Sequence, residues 1–136
     1  TLFPYTTLFR SACNNYYDND ENISDDIKCF DMNINDENID LIRDLDYIVT
    51  TKLKFAKVSQ TFAVLIPIGI TKKYSVAIRT FVTNDFMTGR PGEIGKEVER
   101  KDIENIVDEI ESKYGDKIEF IIYDVTSKPP ATTEWQ

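Results

Sequence analysis

Histidine does not occur in the 136 residues. Its absence removes the commonest general base and the commonest metal ligand from the chemistry open to this chain, and no metal site is expected. Cysteine is scarce: Cys13 and Cys29 are the two present, and they lack C-x-x-C spacing. That pattern builds neither a zinc site nor a disulfide framework, and a reducing cytosol is its natural home. No apolar run approaches the length of a membrane-spanning helix, so a soluble chain with no membrane partner is expected. A basic cluster is also missing, which argues against nucleic acid as a partner.

The formal net charge of −8 is unevenly spread. Between Ala12 and Asp46 eleven acidic residues stand against Lys28 and Arg43, whereas from Tyr47 to Gln136 thirteen acids face thirteen bases. The acidity therefore belongs to a leader and the remainder is neutral. Asn14-Asn15-Tyr16-Tyr17-Asp18-Asn19-Asp20-Glu21-Asn22 is polar and poor in aliphatic residues. It buries too little apolar surface to offset its own ordering entropy, so residues 12–35 read as an acidic linker or insert, largely disordered.

Residues 1–11 stand apart from everything after them. Thr1-Leu2-Phe3-Pro4-Tyr5-Thr6-Thr7-Leu8-Phe9-Arg10-Ser11 coincides with the translation of a common short-read library adapter, and the segment is read as a sequencing artefact outside the natural protein. The alternative is a short strand or amphipathic turn carried by Leu2, Phe3, Tyr5, Leu8 and Phe9. A domain over residues 36–136 remains, long enough for one modest core.

Its periodicity is legible. Leu41, Ile42, Leu45, Ile48, Val49 and Leu53 recur at three and four residues, predicting a helix over about 36–55 with Asp36 or Asn35 as N-cap. Residues 61–70 form a nearly continuous apolar run that bends at Pro67, as a buried strand does near its end. Residues 74–83 alternate Val76, Ile78, Thr80 and Val82 against Ser75, Ala77, Arg79 and Phe81, a second strand. Lys72-Lys73 makes the turn between them short, so the pair is antiparallel. Gly89, Pro91, Gly92 and Gly95 mark a loop over 84–97. Ile103, Ile106, Val107, Ile110 and Tyr114 then share one helical face, with Lys113 and Gly115 closing the helix. A third strand follows over 118–125. The fold class expected is α+β: a small three-stranded sheet with helices on one face, in the order helix-strand-strand-helix-strand.

A proline-rich tail completes the chain. Prolines restrict it before any ligand arrives, so Lys128 and Glu134 can be presented at low entropic cost; alternatively Trp135 staples the terminus to the core.

At this tail the sequence resembles a known family. Tyr123-Asp124-Val125-Thr126-Ser127-Lys128-Pro129-Pro130-Ala131-Thr132-Thr133-Glu134-Trp135 looks like the C-terminal signature of GMP synthases, the ligases that convert XMP to GMP with ATP and glutamine. Lys57-Val58-Ser59-Gln60-Thr61-Phe62-Ala63-Val64-Leu65 resembles a second block of that family, and Val76-Ala77-Ile78-Arg79-Thr80-Phe81-Val82-Thr83-Asn84-Asp85-Phe86-Met87-Thr88-Gly89 a third. The three stand in family order. The Thr88-Gly89 continuation and the Thr-Thr-Glu-Trp ending look more like the longer eukaryote-type enzymes than the short bacterial ones. Two departures stand out: Gln136 where the family usually has Glu, and Ile70-Thr71-Lys72-Lys73 in place of the bacterial V-G-V-x-G-D.

The resemblance implies a division of labour. One domain of the parent enzyme releases ammonia from glutamine, a second uses ATP and Mg2+ to adenylate XMP, and this C-terminal piece grips XMP and can pair subunits as a homodimer. A chain without histidine holds no Cys–His–Glu triad, and no Ser-Gly-Gly-x-Asp-Ser loop is present. The piece is therefore expected to have no catalytic residues or cofactor of its own, to be inactive alone, and to act in the cytoplasm beside the remaining domains. By family match Gln60, Lys128 and Glu134 are the XMP-binding positions. Arg79, Asp85, Thr132 and Thr133 are weaker candidates, and Arg79 is favoured as a structural partner of Asp85 or Asp124. The alternative class is a bacterial lipoprotein, lipidated at Cys13 after Ser11-Ala12, with the acidic stretch tethering a small α+β binding domain.

Overall fold

The computed structural model describes residues 6–9, 26–85 and 87–127. Its elements are β1 (Thr6–Phe9), β2 (Lys28–Cys29), α1 (Asp36–Lys52), β3 (Gln60–Ile66), β4 (Ile68–Gly69), β5 (Tyr74–Phe81), α2 (Arg100–Tyr114) and β6 (Ile118–Asp124). The run from α1 through β3, β5 and α2 to β6 is the α+β order expected.

Helix α1 begins where its cap allows. Asn35 is extended and its side-chain oxygen accepts from Asn38 N at 2.9 Å, satisfying one of the amides that the first turn leaves without a helical partner. Asp36 and Glu37 in that turn complement the positive end of the helix dipole. Asn35→Ala should lower the unfolding free energy by about 1 kcal/mol, read from a urea titration. A loss near zero would mean that Asp36 caps instead. Helix α2 ends at Gly115 in a right-handed conformation, φ −59° and ψ −21°, so this glycine is not used for a left-handed cap.

The larger sheet has strand order β1-β6-β5-β3. β3 and β5 are antiparallel with Gln60 opposite Phe81, whereas β5 and β6 are parallel with Arg79 beside Asp124. The parallel pairing follows from α2, because two parallel neighbours need a long crossover between them. Pro67 ends β3 because it has no amide to donate to the ladder, and the chain then continues as β4. β4 leaves the larger sheet and forms a two-stranded ribbon with β2, reinforced by Phe30 N donating to Pro67 O at 2.8 Å. Part of the acidic leader thus joins the folded unit. The segment set aside as foreign contributes β1, which lies antiparallel along β6 with Thr6 opposite Asp124.

Both helices pack on one face. Leu45, Ile48 and Val49 of α1 and Ile103, Ile106 and Ile110 of α2 meet Val76, Ile78, Ile121 and Tyr123 of the sheet. The opposite face is buried too, around Ile66, Ile68, Ala77, Phe120 and Ile122, with Ile27 from the leader packed against it. The strands therefore read as continuous apolar runs rather than strict alternations. Asp46 on α1 accepts from Ala63 N at 2.8 Å, which satisfies a donor on the outer edge of β3.

Candidate functional site

Three strand ends converge at one end of the sheet. β3 starts there at Gln60, β5 ends there at Phe81, and β6 ends there at Asp124, because β3 runs against β5 while β6 runs with it. The Lys-x-Ser-Gln block, the Thr-x-Asp-Phe-Met-Thr block and the start of the tail are thus brought together by topology alone.

Hydrogen bonds tie the first two blocks. Ser59 Oγ donates to Thr83 O at 3.0 Å, and Thr83 N donates back to Ser59 Oγ at 3.1 Å. Ser59 N also donates to Phe81 O at 2.7 Å. Thr83 Oγ1 reaches Thr88 O in a short contact that closes the loop from the other side. Inside that loop Asp85 Oδ1 accepts from Met87 N and Thr88 N, each at 3.0 Å, and from Thr88 Oγ1 at 3.3 Å. The Thr88 and Met87 amides hold the Asp85 carboxyl below its ordinary value, since they bond only the ionised form well. Asp85 thereby ties the loop over residues 85–88 together.

The following loop is clamped by a closed ring of three hydrogen bonds. Thr80 Oγ1 and Tyr123 OH are 2.7 Å apart, Tyr123 OH donates to Gly92 O at 2.6 Å, and Gly92 N donates to Thr80 Oγ1 at 3.0 Å. Burial pushes the Tyr123 phenol up, so it stays a donor. A Cβ on Gly92 would lie 2.8 Å from Val58 Cγ1 and 3.1 Å from Thr80 Oγ1, so the backbone approaches this closely only because the residue is glycine.

Glu97 anchors the same loop through Arg90, in a short salt bridge, and through Glu93 N, which donates to Glu97 Oε2 at 2.9 Å. Arg90 first, and then the Glu93 amide, lower the Glu97 carboxyl to about 2. A depressed carboxyl stabilises the folded loop above its ordinary pKa of 4.5, and that contribution is lost as the pH falls through about 2. Protection of the Glu93 amide from hydrogen exchange, corrected for its intrinsic rate, should therefore fall between those values. In Glu97→Leu, which has no acceptor, it should be low at every pH; protection that ignores both changes would contradict the clamp.

Arg79 and Asp124 form a buried pair. Arg79 Nε lies 2.8 Å from Asp124 Oδ2, with side chains 1% and 5% exposed. The guanidinium carbon is 5.5 Å from the Phe62 ring centroid and 5.1 Å from that of Phe81, within cation–π range of both. Burial lowers the arginine's pKa and Asp124 opposes the shift; a guanidinium still keeps its proton there. Of the two partners sequence patterning offers Arg79, the structure takes Asp124.

Gln60 is half-buried at the mouth of this end. Lys128, Thr132, Thr133 and Glu134 lie outside the described residues, which stop at Ser127, three positions past the end of β6. Patterning gave no role to Ser59, Thr83 or Tyr123, and named Gly92 only as a loop breaker. Ser59 and Thr83 sit inside the quoted blocks, which was the available signal, whereas the Thr80–Tyr123–Gly92 ring joins positions too far apart in sequence to be paired by inspection.

A cavity of about 360 Å³ lies elsewhere, along the outer edge of β3, lined by Met32, Ile34, Ile39, Ile42, Phe62 and Leu65 among others. None of the candidate site residues lines it. Among the described residues no group of three or more Cys, Asp or Glu side chains is arranged to hold a metal ion, and no helix is long and apolar enough to cross a membrane.

The α+β unit gathers three such blocks at one sheet end, and comparison with known proteins specifies its family. Residues 48–135 match the family model for the GMP synthase C terminal domain. GMP synthase (glutamine-hydrolyzing) of Acetivibrio thermocellus is 38% identical over 112 residues, covering 74% of this chain and 21% of that protein. The corresponding protein of Ruminiclostridium cellulolyticum is 37% identical over 112 residues. That of Dictyostelium discoideum is 44% identical over 79 residues, 57% of this chain and 11% of that protein. The chain belongs to the GMP synthase C-terminal domain family. It spans about a fifth of the length of the bacterial relatives it matches, and these relatives give no support to the lipoprotein alternative.

Proposed function

We propose that this domain serves a glutamine-hydrolysing GMP synthase by holding XMP at the gathered end of its sheet, with Gln60 at the start of β3 and Lys128 and Glu134 on the tail. The observation that carries this reading is the bonding of Ser59, the neighbour of Gln60, to Thr83 of the loop after β5, at the end from which the tail departs. The chemistry is suitable. A phosphate dianion calls for a cation such as Lys128. Xanthine offers carbonyls and N–H groups, so the Gln60 amide can serve either and the Glu134 carboxylate can accept from the latter.

Ammonia release and XMP adenylation with ATP and Mg2+ belong to the remaining domains of the parent, because no Ser-Gly-Gly-x-Asp-Ser loop and no histidine occur in these residues. The isolated piece is then inactive, its partners are those domains and a possible second subunit, and its home is the cytoplasm. The test is to sequence the gene upstream of the Ala12 codon with an adapter-free library and assay the protein it encodes. The reading expects a frame running back into a glutaminase and a Ser-Gly-Gly-x-Asp-Ser loop, with GMP formed from XMP, ATP and glutamine. A short signal peptide ending at Cys13 would overturn it.

A further inference from the structure

The last residue of β6 is held in two directions. Asp124 Oδ2 is 2.8 Å from Arg79 Nε, while Asp124 Oδ1 accepts from Thr126 N at 2.9 Å. The second bond is an Asx turn, in which the carboxylate folds back onto the amide two residues on and sets where the chain goes next. An aspartate ending a strand samples several rotamers, and each would aim Thr126 differently. Here one rotamer is imposed from behind, because Arg79 stands beside Asp124 in register and its guanidinium carbon lies 5.5 Å from the Phe62 ring centroid and 5.1 Å from that of Phe81. Phe62 is two residues from Gln60, and Arg79 is four residues before Thr83. A single train of contacts therefore connects the start of β3, the end of β5 and the first turn of the tail.

Stability alone does not account for this pair. Burying two charges is costly, and an apolar pair of similar volume commonly packs as well or better. An apolar residue at position 124 could not accept from Thr126 N. We propose that Arg79 and Asp124 are positioning residues for the start of the C-terminal tail: their buried pair fixes the direction in which the chain leaves the sheet at Thr126. The consequence for ligand binding rests on the XMP reading above; the positioning itself does not.

The one tryptophan of the chain, Trp135, lies on that tail and reports on it directly. In the 136-residue chain, Arg79→Met and Asp124→Asn should raise the acrylamide quenching constant of Trp135 about twofold, because releasing the turn at Thr126 widens the set of conformations open to the chain beyond it. Arg79→Lys, which keeps the charge, should raise it less. Glu119→Gln supplies the control: it alters a buried carboxylate at the far end of the same strand, which holds Thr71 N and Lys72 N rather than the tail. It should cost stability and leave Trp135 quenching unchanged. If Arg79→Met does not fold, Thr126→Pro removes the amide that Asp124 accepts from, while also fixing φ at 126 and restricting Val125, and carries the same test with Thr126→Ala, which keeps the amide, as its reference. Quenching unchanged in the folded Asp124→Asn and Thr126→Pro chains would overturn the proposal. In the full-length protein the same substitutions should raise KM for XMP by about 10- to 100-fold with glutamine hydrolysis retained, since a misplacement of about 1 Å can cost that much. Raised quenching with an unchanged KM would keep the positioning role and remove the tail from the XMP site.

Discussion

Gly69→Ala should destabilise the domain by about 3 kcal/mol or more, the largest loss expected from adding a single methyl group to a packed backbone. A Cβ at this position would lie 1.8 Å from Lys72 O and 3.3 Å from Glu119 Cβ, and the nearer atom is backbone that cannot swing aside. The crowding comes from a tight turn over residues 70–73 held by one buried side chain. Glu119 Oε2 accepts from Thr71 N at 3.0 Å, from Lys72 N at 2.8 Å and from Thr71 Oγ1 at 3.2 Å. The turn therefore has little freedom to open for the methyl. Relief would require breaking bonds to a carboxylate that is 6% exposed, leaving it short of partners in the interior. Urea unfolding measures the loss, and the β2–β4 ribbon, in which Gly69 pairs with Lys28, should be disrupted with it. A change below about 1 kcal/mol would mean that the turn is far more pliant than its packing implies.

Lys128→Ala, in the full-length protein, should raise KM for XMP by about 10- to 100-fold, the range expected when a charge-assisted hydrogen bond to phosphate is removed. Glutamine hydrolysis should persist, because the residue belongs to a different domain from the one proposed to release ammonia. Lys128→Arg should recover part of the loss, since a guanidinium keeps the charge but presents it in another geometry. If KM for XMP does not move in Lys128→Ala, the residue is not in the site. If glutamine hydrolysis falls in parallel with XMP use, the lysine acts through the structure of the whole enzyme.

How much of this was legible in the sequence depends on the range over which each feature is determined. The α1 stripe Leu41, Leu45, Ile48 and Val49, the Asn35 cap and the break at Pro67 are local, and each is where patterning puts it. The parallel pairing of β5 with β6 is not local, because it depends on how α2 carries the chain across the sheet. The β2–β4 ribbon was hidden for a related reason: strands of two residues have no period to detect, and β2 lies in a segment whose composition reads as disordered. β1 falls in residues read as an adapter; of Leu2, Phe3, Tyr5, Leu8 and Phe9, which carried the alternative of a short strand or amphipathic turn, Leu8 and Phe9 lie in β1 and the other three lie outside the described residues.

For the site, patterning reached residue types but not their connections. Arg79 stood out as a charge among apolar neighbours, and burial with a partner was the favoured reading. That Asp124 also turns the chain through Thr126 N depends on both oxygens of one carboxylate, which no sequence pattern encodes. Asp85 was a candidate ligand by position in its block. One of its oxygens accepts from the Met87 and Thr88 amides of its own loop, a connection the block alone does not reveal.

The measurement that tests the central claim most directly is hydrogen exchange by mass spectrometry on the full-length protein, with and without XMP. The account predicts slower exchange on XMP addition in peptides covering residues 58–62, 83–88 and 126–136, with the outer faces of α1 and α2 unchanged. Slower exchange confined to peptides outside these three, or around the cavity beside β3, would contradict it.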